Sequence, residues 1–311
     1  MIMKHFFTLL LVFLLKSVSW AQCCSPGNPV GGTANVGTLD ARTLRVLAFL
    51  RHSYSDTYFE GSKKAEFQGT TAGYYYFGSV LAYGITPRLT AETELGLFLD
   101  KRKTNEGQRP EQTSGLANGV FSIKYGVWKD AVREWEFTAG AGIRFPFSKK
   151  LALDDYDYPL SMDVQSSTGA FGFIGQLFLY KGFLSRGWRL FLLNRFEKNA
   201  ANNIGYDYGD ALTSAFFASR KINLHWTGIL QLRNEYRKID IWEGVKLNST
   251  GGELVTLSPQ INYTIAQKWN ISLLMDIPLY RHYNLAQLGS KYAFAVNVVR
   301  DFKLSQKMEV H

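Results

Sequence analysis

Three groups of residues in this 311-residue chain have side chains capable of chemistry. The first is catalytic in type. A serine nucleophile needs an imidazole within hydrogen-bond reach and a third polar group to hold that imidazole. The candidates are His52 beside Ser53, and His282 with Asn284 in "RHYN". Neither has the histidine-serine-asparagine arrangement of an outer-membrane hydrolase, so no enzyme is expected. The second group is "LDDYDYP", where Asp154, Asp155 and Asp157 alternate with Tyr156 and Tyr158. Oxygen ligands at that spacing suit calcium, but the glycine and distal glutamate of a calcium loop are missing. A solvated acidic loop is the plainer reading. The third group is the largest: Arg45, Arg51, Glu92, Glu94, Lys124, Glu136, Arg144, Arg189, Arg195, Glu197, His225, Arg233 and Glu235. Each falls on the polar face of an alternating segment. Charges of both signs on one inner face would form either a network of ion pairs between facing strands or a surface that orients a polar solute.

The two cysteines, Cys23 and Cys24, are adjacent. A disulfide between neighbours closes a strained ring. They therefore read as an accessible thiol pair, with a soft-metal contact or an intermolecular bridge as the sharper alternative. No zinc spacing and no phosphate-cradling glycine loop occurs, and no cofactor is expected.

The elements that position these charges are strands. In "EWEFTAGAGIRFPF" the apolar or small residues Trp135, Phe137, Ala139, Ala141, Ile143 and Phe145 alternate with Glu134, Glu136, Thr138, Gly140, Gly142 and Arg144. A strand sends alternate side chains to opposite faces. "LTAETELGLFLD", "VTLSPQINYTI", "WNISLLMDI", "LHWTGILQLRNEY" and "YAFAVNVVRDF" repeat the pattern. Twelve strands follow from it, at 43–59, 67–85, 89–100, 115–128, 134–146, 167–181, 187–199, 206–219, 223–238, 251–266, 269–280 and 289–302. The second and sixth, "GYYYFGSVLAYGI" and "GAFGFIGQLFLY", are apolar on both faces, as in a lumen partly filled by side chains. Tyr74, Tyr76, Phe98, Phe178 and Tyr180 would give that lumen an apolar lining.

Short connections such as "TPR", "KDAVR", "GFLSR" and "RKI" alternate with long polar ones at 60–66, 101–114, 148–166, 200–205, 239–250 and 281–288. That rhythm belongs to an all-β, transmembrane, antiparallel up-and-down barrel of about 12 strands, with short periplasmic turns and long external loops. The spans exceed the usual soluble strand and suit a tilted bilayer crossing. Trp135, Trp188, Trp226 and Trp269 fall beside the short turns, where an aromatic girdle lies. A soluble sandwich would also alternate, but explains neither the span length nor the tryptophans.

The first 21 residues, with Lys4, an apolar core at Phe6–Leu15 and small Ser19 and Ala21, read as a cleaved secretory signal peptide. Residues 22–42 would be a periplasmic segment or small plug, 43–302 the barrel and 303–311 a periplasmic tail. Net charge is +9, and +7 without Lys4 and Lys16 (9 − 2). The basic residues are scattered, which argues against a nucleic-acid surface. The expected location is the outer membrane of a diderm bacterium. The expected partners are outer-membrane lipid and a small-molecule solute, with the barrel a monomer. Passive passage or binding of that solute in the charged and aromatic lumen is the leading function, and a closed barrel acting through its external loops is the alternative.

The stretches "QCCSPGNPVGGTANVGTL", "RVLAFLRHSYSDTYFEG" and "YGITPRLTAETELG" resemble a family of outer-membrane transporters from diderm bacteria. That family is related to the phenol-degradation MetA-pathway barrels and distantly to the channels for fatty acids and aromatic hydrocarbons. The resemblance implies a barrel that moves or senses small molecules. Only Gln22 to Arg42 precedes the first strand, so a plug would be smaller than the hatch of the fatty-acid channels.

Overall fold

A computed structural model describes residues 37–66, 69–266 and 268–304. The expected signal peptide, Cys23 and Cys24, most of the expected plug and most of the expected tail lie outside the described residues.

Ten strands follow one another around a single sheet: β1 (Thr43–Gly61), β2 (Thr70–Thr86), β3 (Leu89–Asn105), β4 (Asn118–Asp130), β5 (Trp135–Pro146), β6 (Gly172–Phe183), β7 (Trp188–Asn199), β8 (Ala211–Lys221), β9 (Trp226–Arg237) and β10 (Gly252–Ile265). An eleventh, β11 (Trp269–Lys303), pairs with β10 on one side and with β1 on the other, and so closes the barrel. All these pairings are antiparallel.

β11 contains 35 residues, which fully extended would reach about 115 Å. It cannot be one straight crossing. Its pairing shows why. Tyr283 faces both Gly252 of β10 and Gly61 of β1, after which the register with β1 runs back from Gln287↔Phe59 to Lys303↔Thr43. An odd ring of alternating strands also cannot close antiparallel. The chain therefore reverses just after Tyr283, and the two arms lie side by side, with the Arg300 guanidinium 4.6 Å from the Trp269 ring. Eleven continuous strands thus supply twelve crossings (11 + 1).

The expected boundaries move in four places. The loop expected at 101–114 is mostly strand: β3 runs to Asn105, and Glu111–Leu116 pairs back on it from Lys103↔Glu111 to Leu97↔Leu116. The loop expected at 281–288 shrinks to the reversal within β11. The sixth and eighth strands start later than read, at Gly172 and Ala211. The loop expected outside at 148–166 turns inward, burying Leu160, Val164 and Gln165. The β7–β8 and β9–β10 connections build a small three-stranded cap from Tyr206–Asp207, Asp240–Trp242 and Val245–Leu247.

Alternation sorts the side chains as the sequence predicts. Leu50, Tyr75, Phe77, Leu81, Phe121, Ile123, Ile143, Leu230, Leu232, Leu273 and Phe294 lie exposed on the outer face. Such a continuous apolar exterior is unfavourable in water and is satisfied by acyl chains. Trp188, Trp226 and Trp269 ring the short-turn end on the outside, and Trp135 stacks on Trp128 at a centroid distance of 6.4 Å. Cations cap this girdle: Arg220 lies 5.3 Å from Trp188 and Lys181 lies 5.1 Å from Trp135.

Candidate functional site: the barrel lumen

The inner face carries the charge. Arg51, Glu92, Lys124, Arg144, Arg195 and Arg233 are all buried, which is costly for an ion unless it is paired. They are paired, in two chains of alternating sign and one separate pair.

One chain runs along the wall where the barrel closes. Arg51 of β1 meets Asp276 of β11 through a close ion pair. Asp276 also accepts from Arg233 of β9 at 3.1 Å, and Arg233 reaches Glu235 on the same strand at 3.1 Å. Ser258 of β10 donates to the other oxygen of Asp276. To reach Asp276, Arg51 must pass over the second arm of β11, where its cross-strand neighbour is Ala295. A small inward residue there leaves the path open.

The other chain crosses the lumen. Arg144 of β5 bonds Glu197 of β7 at 3.0 Å, passing over β6 at Gly172, where a Cβ would stand 3.3 Å from its Nη2. Glu197 also accepts from Arg195 Nε at 2.8 Å, and Arg195 Nη1 donates to Glu94 of β3 at 2.6 Å. β3 and β7 are separated by β4, β5 and β6 around the sheet. A bond between them is a strut through the interior, not a contact along the wall. Lys124 and Glu92, on neighbouring strands, make a separate pair at 2.7 Å.

The remaining expected lumen residues sit near the short-turn mouth. Arg45 makes a bidentate bond to Asp301 at 2.7 and 2.6 Å, directly across the seam between first and last strands. Glu136 accepts from the Thr38 amide at 2.8 Å and from the hydroxyls of Thr38 and Thr138 at 3.0 and 2.9 Å. The Leu39 amide donates to Thr90 Oγ1 at 2.8 Å. The last residues before β1 therefore fold across this mouth, bound to β3 and β5. Two expectations fail. Arg189 lies exposed at the rim, because it is the second residue of β7 and stands beyond the buried section. His225 is not in the lumen: it belongs to the β8–β9 turn, with its ring 5.7 Å from Tyr263 and its Nδ1 3.1 Å from the Thr264 carbonyl.

The apolar lining forms two clusters. Tyr76 and Phe98 are nearly inaccessible at 1% each and meet edge to face at 4.9 Å, with Leu47, Phe49, Val80 and Ala117 around them and Tyr74 packed alongside. The Tyr76 ring lies over Gly96, where a Cβ would come within 1.8 Å of its hydroxyl. Phe178 joins Leu193, Ala215 and Phe217, with Tyr180 and Phe191 packed against them. Leu47 and Phe49 of β1 and Ala215 and Phe217 of β8 complete the clusters from inward positions that the sequence reading does not single out.

At the long-loop end the inward-folded loop bonds the barrel wall. Lys101 Nζ donates to the Gln165 carbonyl at 2.9 Å, Lys103 pairs with Asp163 at 2.9 Å, and Asn118 Oδ1 accepts from Ser167 and Thr168 hydroxyls at 2.9 and 3.0 Å. Asp154 Oδ1 is occupied by the Tyr156 and Tyr158 amides at 2.9 Å each, so the acidic run is a capped turn. In the cap, burial and then Asp240 push the Tyr206 phenol above its ordinary pKa, and it donates to Asp240 at 2.6 Å.

The hydrolase candidates do not assemble. His52 faces outward, stacked on Tyr75 at 4.4 Å, while Ser53 is buried on the opposite face. His282 Nδ1 lies 3.4 Å from Ser62 Oγ at the exposed rim, and Asn284 is turned to the Thr250 carbonyl at 3.0 Å.

No protein-family profile matches the sequence, and no curated protein is similar to it. Solved structures are. An outer membrane channel from Pseudomonas putida F1 superposes with a TM-score of 0.69 over 89% of this chain and 100% of its own, at 12% identity. The NanC porin gives 0.50 over 83% of this chain and 100% of its own, at 10% identity. The fold is that of outer-membrane barrel channels, and the apolar exterior places this barrel in such a membrane.

Proposed function

We propose that the barrel passes small solutes by passive diffusion, with the charged and aromatic lumen as its filter. The observation that carries this reading is the strut Glu94–Arg195. A barrel wall gains no cohesion between neighbours from a bond that crosses its interior. Buried ion pairs are in any case no better than apolar packing for stability. Replacing such pairs with well-packed apolar side chains is often neutral or stabilising, so cohesion alone does not account for them. Charges strung across the interior offer an ion or dipole partners along its path. A barrel of this size is narrow, which limits the path to small molecules.

The mixed lining suits a solute with both polar and ring or hydrocarbon parts, taken from outside past the loop at 147–171 and released past Thr38 and Leu39. The barrel acts as a monomer held by outer-membrane lipid. Liposome swelling tests this reading. Vesicles containing the purified chain should swell in isotonic solutions of solutes below a sharp size limit. Vesicles that never swell faster than protein-free ones would favour the closed barrel acting through its loops.

A further inference from the structure

The outer face carries a polar cleft that conduction through the lumen does not explain. On the wall formed by β1, β2 and β3, exposed Leu50, Phe77 and Leu99 belong to the apolar band. Toward the long loops this band ends in a cluster of rings. His52 stacks on Tyr75, and Tyr292 lies 5.7 Å from Tyr54 and 6.4 Å from His52. Tyrosines gather where hydrocarbon gives way to headgroups, and long loops mark the external side. This part of the wall meets the outer leaflet at the level of its headgroups.

At that level a cleft of about 150 Å³ opens on the wall. Register makes it. Tyr54, Gly73 and Arg102 stand side by side on β1, β2 and β3. The middle one has no side chain, and a Cβ there would come within 2.8 Å of the Ser53 carbonyl oxygen. Tyr54 and Arg102 are left as two walls over a backbone floor. The row His52, Tyr75 and Asp100 bounds the cleft toward the membrane, and the pair Thr71 and Thr104 bounds it toward the loops.

Its polar groups are held in place and open to the outside. Asp100 Oδ1 accepts from Gln112 Nε2 at 2.9 Å, and Oδ2 lies 3.5 Å from Arg102 Nη2. The Arg102 side chain is 51% exposed and that of Asp100 29%. His52 Nδ1 sits 3.2 Å from the Tyr74 carbonyl, which fixes the ring.

These groups select a ligand. An acyl chain would leave Arg102, Asp100 and two threonines facing hydrocarbon. A phosphate suits Arg102 but meets the Asp100 carboxylate, and an ammonium suits Asp100 but meets Arg102. A sugar offers hydroxyls that donate to Asp100 and accept from Arg102, and a carbon face to lie against the tyrosine rings. The volume is room for about five water molecules, or one sugar ring. Leu50, Phe77 and Leu99, just membrane-ward, provide a surface for the chains of a lipid whose head fills the cleft.

We infer that this cleft seats a sugar of an outer-leaflet glycolipid headgroup, with the acyl chains lying along Leu50, Phe77 and Leu99. The site is outside the lumen and holds whether or not the barrel conducts.

Native mass spectrometry of the full chain, released from lauryldimethylamine oxide micelles, tests it without a sugar-headed detergent. The probes are lipid A freed of its phosphates, phosphatidylglycerol and free N-acetylglucosamine. Dephosphorylated lipid A should be retained, and the free sugar at the same concentration should not. Asp100→Ala and Arg102→Met should each lower retention of that lipid about five- to tenfold and leave phosphatidylglycerol retention unchanged. Heat-modifiable migration on gels confirms folding of each variant, and either variant alone suffices. Lipid A retention unaltered in a folded variant would overturn the site. Phosphatidylglycerol held more tightly by Asp100→Ala and less by Arg102→Met would mark a phosphate site and overturn the sugar. Free N-acetylglucosamine retained as well as the lipid would overturn the lipid as its source.

Discussion

The two chains of charge invite comparison because their chemistry is the same. Each runs arginine, carboxylate, arginine, carboxylate: Arg51–Asp276–Arg233–Glu235 along the closing wall, and Arg144–Glu197–Arg195–Glu94 across the interior. In each, the second arginine and a carboxylate are two residues apart on one strand. In each, an arginine passes over a strand that presents a small residue, Ala295 or Gly172. They differ in span. The wall chain links strands with one crossing between them and so fixes the curvature where the barrel closes. The other includes a link between β3 and β7, with three strands between. On the proposed reading one motif serves cohesion in one place and partition of the lumen in the other, and the separation of its strands decides which.

Substitutions can break this contrast. The largest effect is expected from Asp276→Ala, which strands Arg51 and Arg233 together in a buried site. Urea unfolding in micelles should show a loss of about 3–5 kcal/mol, with the single-channel conductance of the folded fraction unchanged. Glu94→Gln should do the opposite. Arg195 keeps Glu197, so the stability loss should be smaller, about 1.5–3 kcal/mol. The conductance should rise, and reversal potentials in a salt gradient should shift toward anions. Gly96→Ala would push the Tyr76 hydroxyl off its seat and disturb the packing with Phe98, costing about 1–3 kcal/mol by the same unfolding assay. Arg300→Ala, which removes the cation over Trp269 at the rim, should cost only about 0.5–1 kcal/mol and leave conduction as it was.

Much of this architecture is legible in the sequence, because a strand's two faces follow from parity alone. The outward set in "EWEFTAGAGIRFPF" and the inward charges Glu92, Lys124, Arg144, Arg195 and Arg233 needed no register. The pairings needed one. Asp276 is visible on the polar face of "WNISLLMDI", yet its partner Arg51 is 225 residues away and Arg233 is 43. Nothing local marks it as the centre of a network. The loop at 148–166 carries Leu160 and Val164 among polar residues, a faint sign that it folds inward. The reversal in β11 has no glycine or proline at its tip, Asn284 to Ala286, and so reads as an ordinary polar loop. His225 falls outside the lumen for a related reason: it precedes the first residue of β9, in a turn where alternation does not hold.

Single-channel recording from planar bilayers on three proteins tests the division of labour most directly. The unaltered barrel should give discrete current steps, Glu94→Gln larger ones, and Asp276→Ala steps of the unaltered size from fewer surviving barrels. Steps that grow when Asp276 is replaced, and stay fixed when Glu94 is replaced, would contradict it.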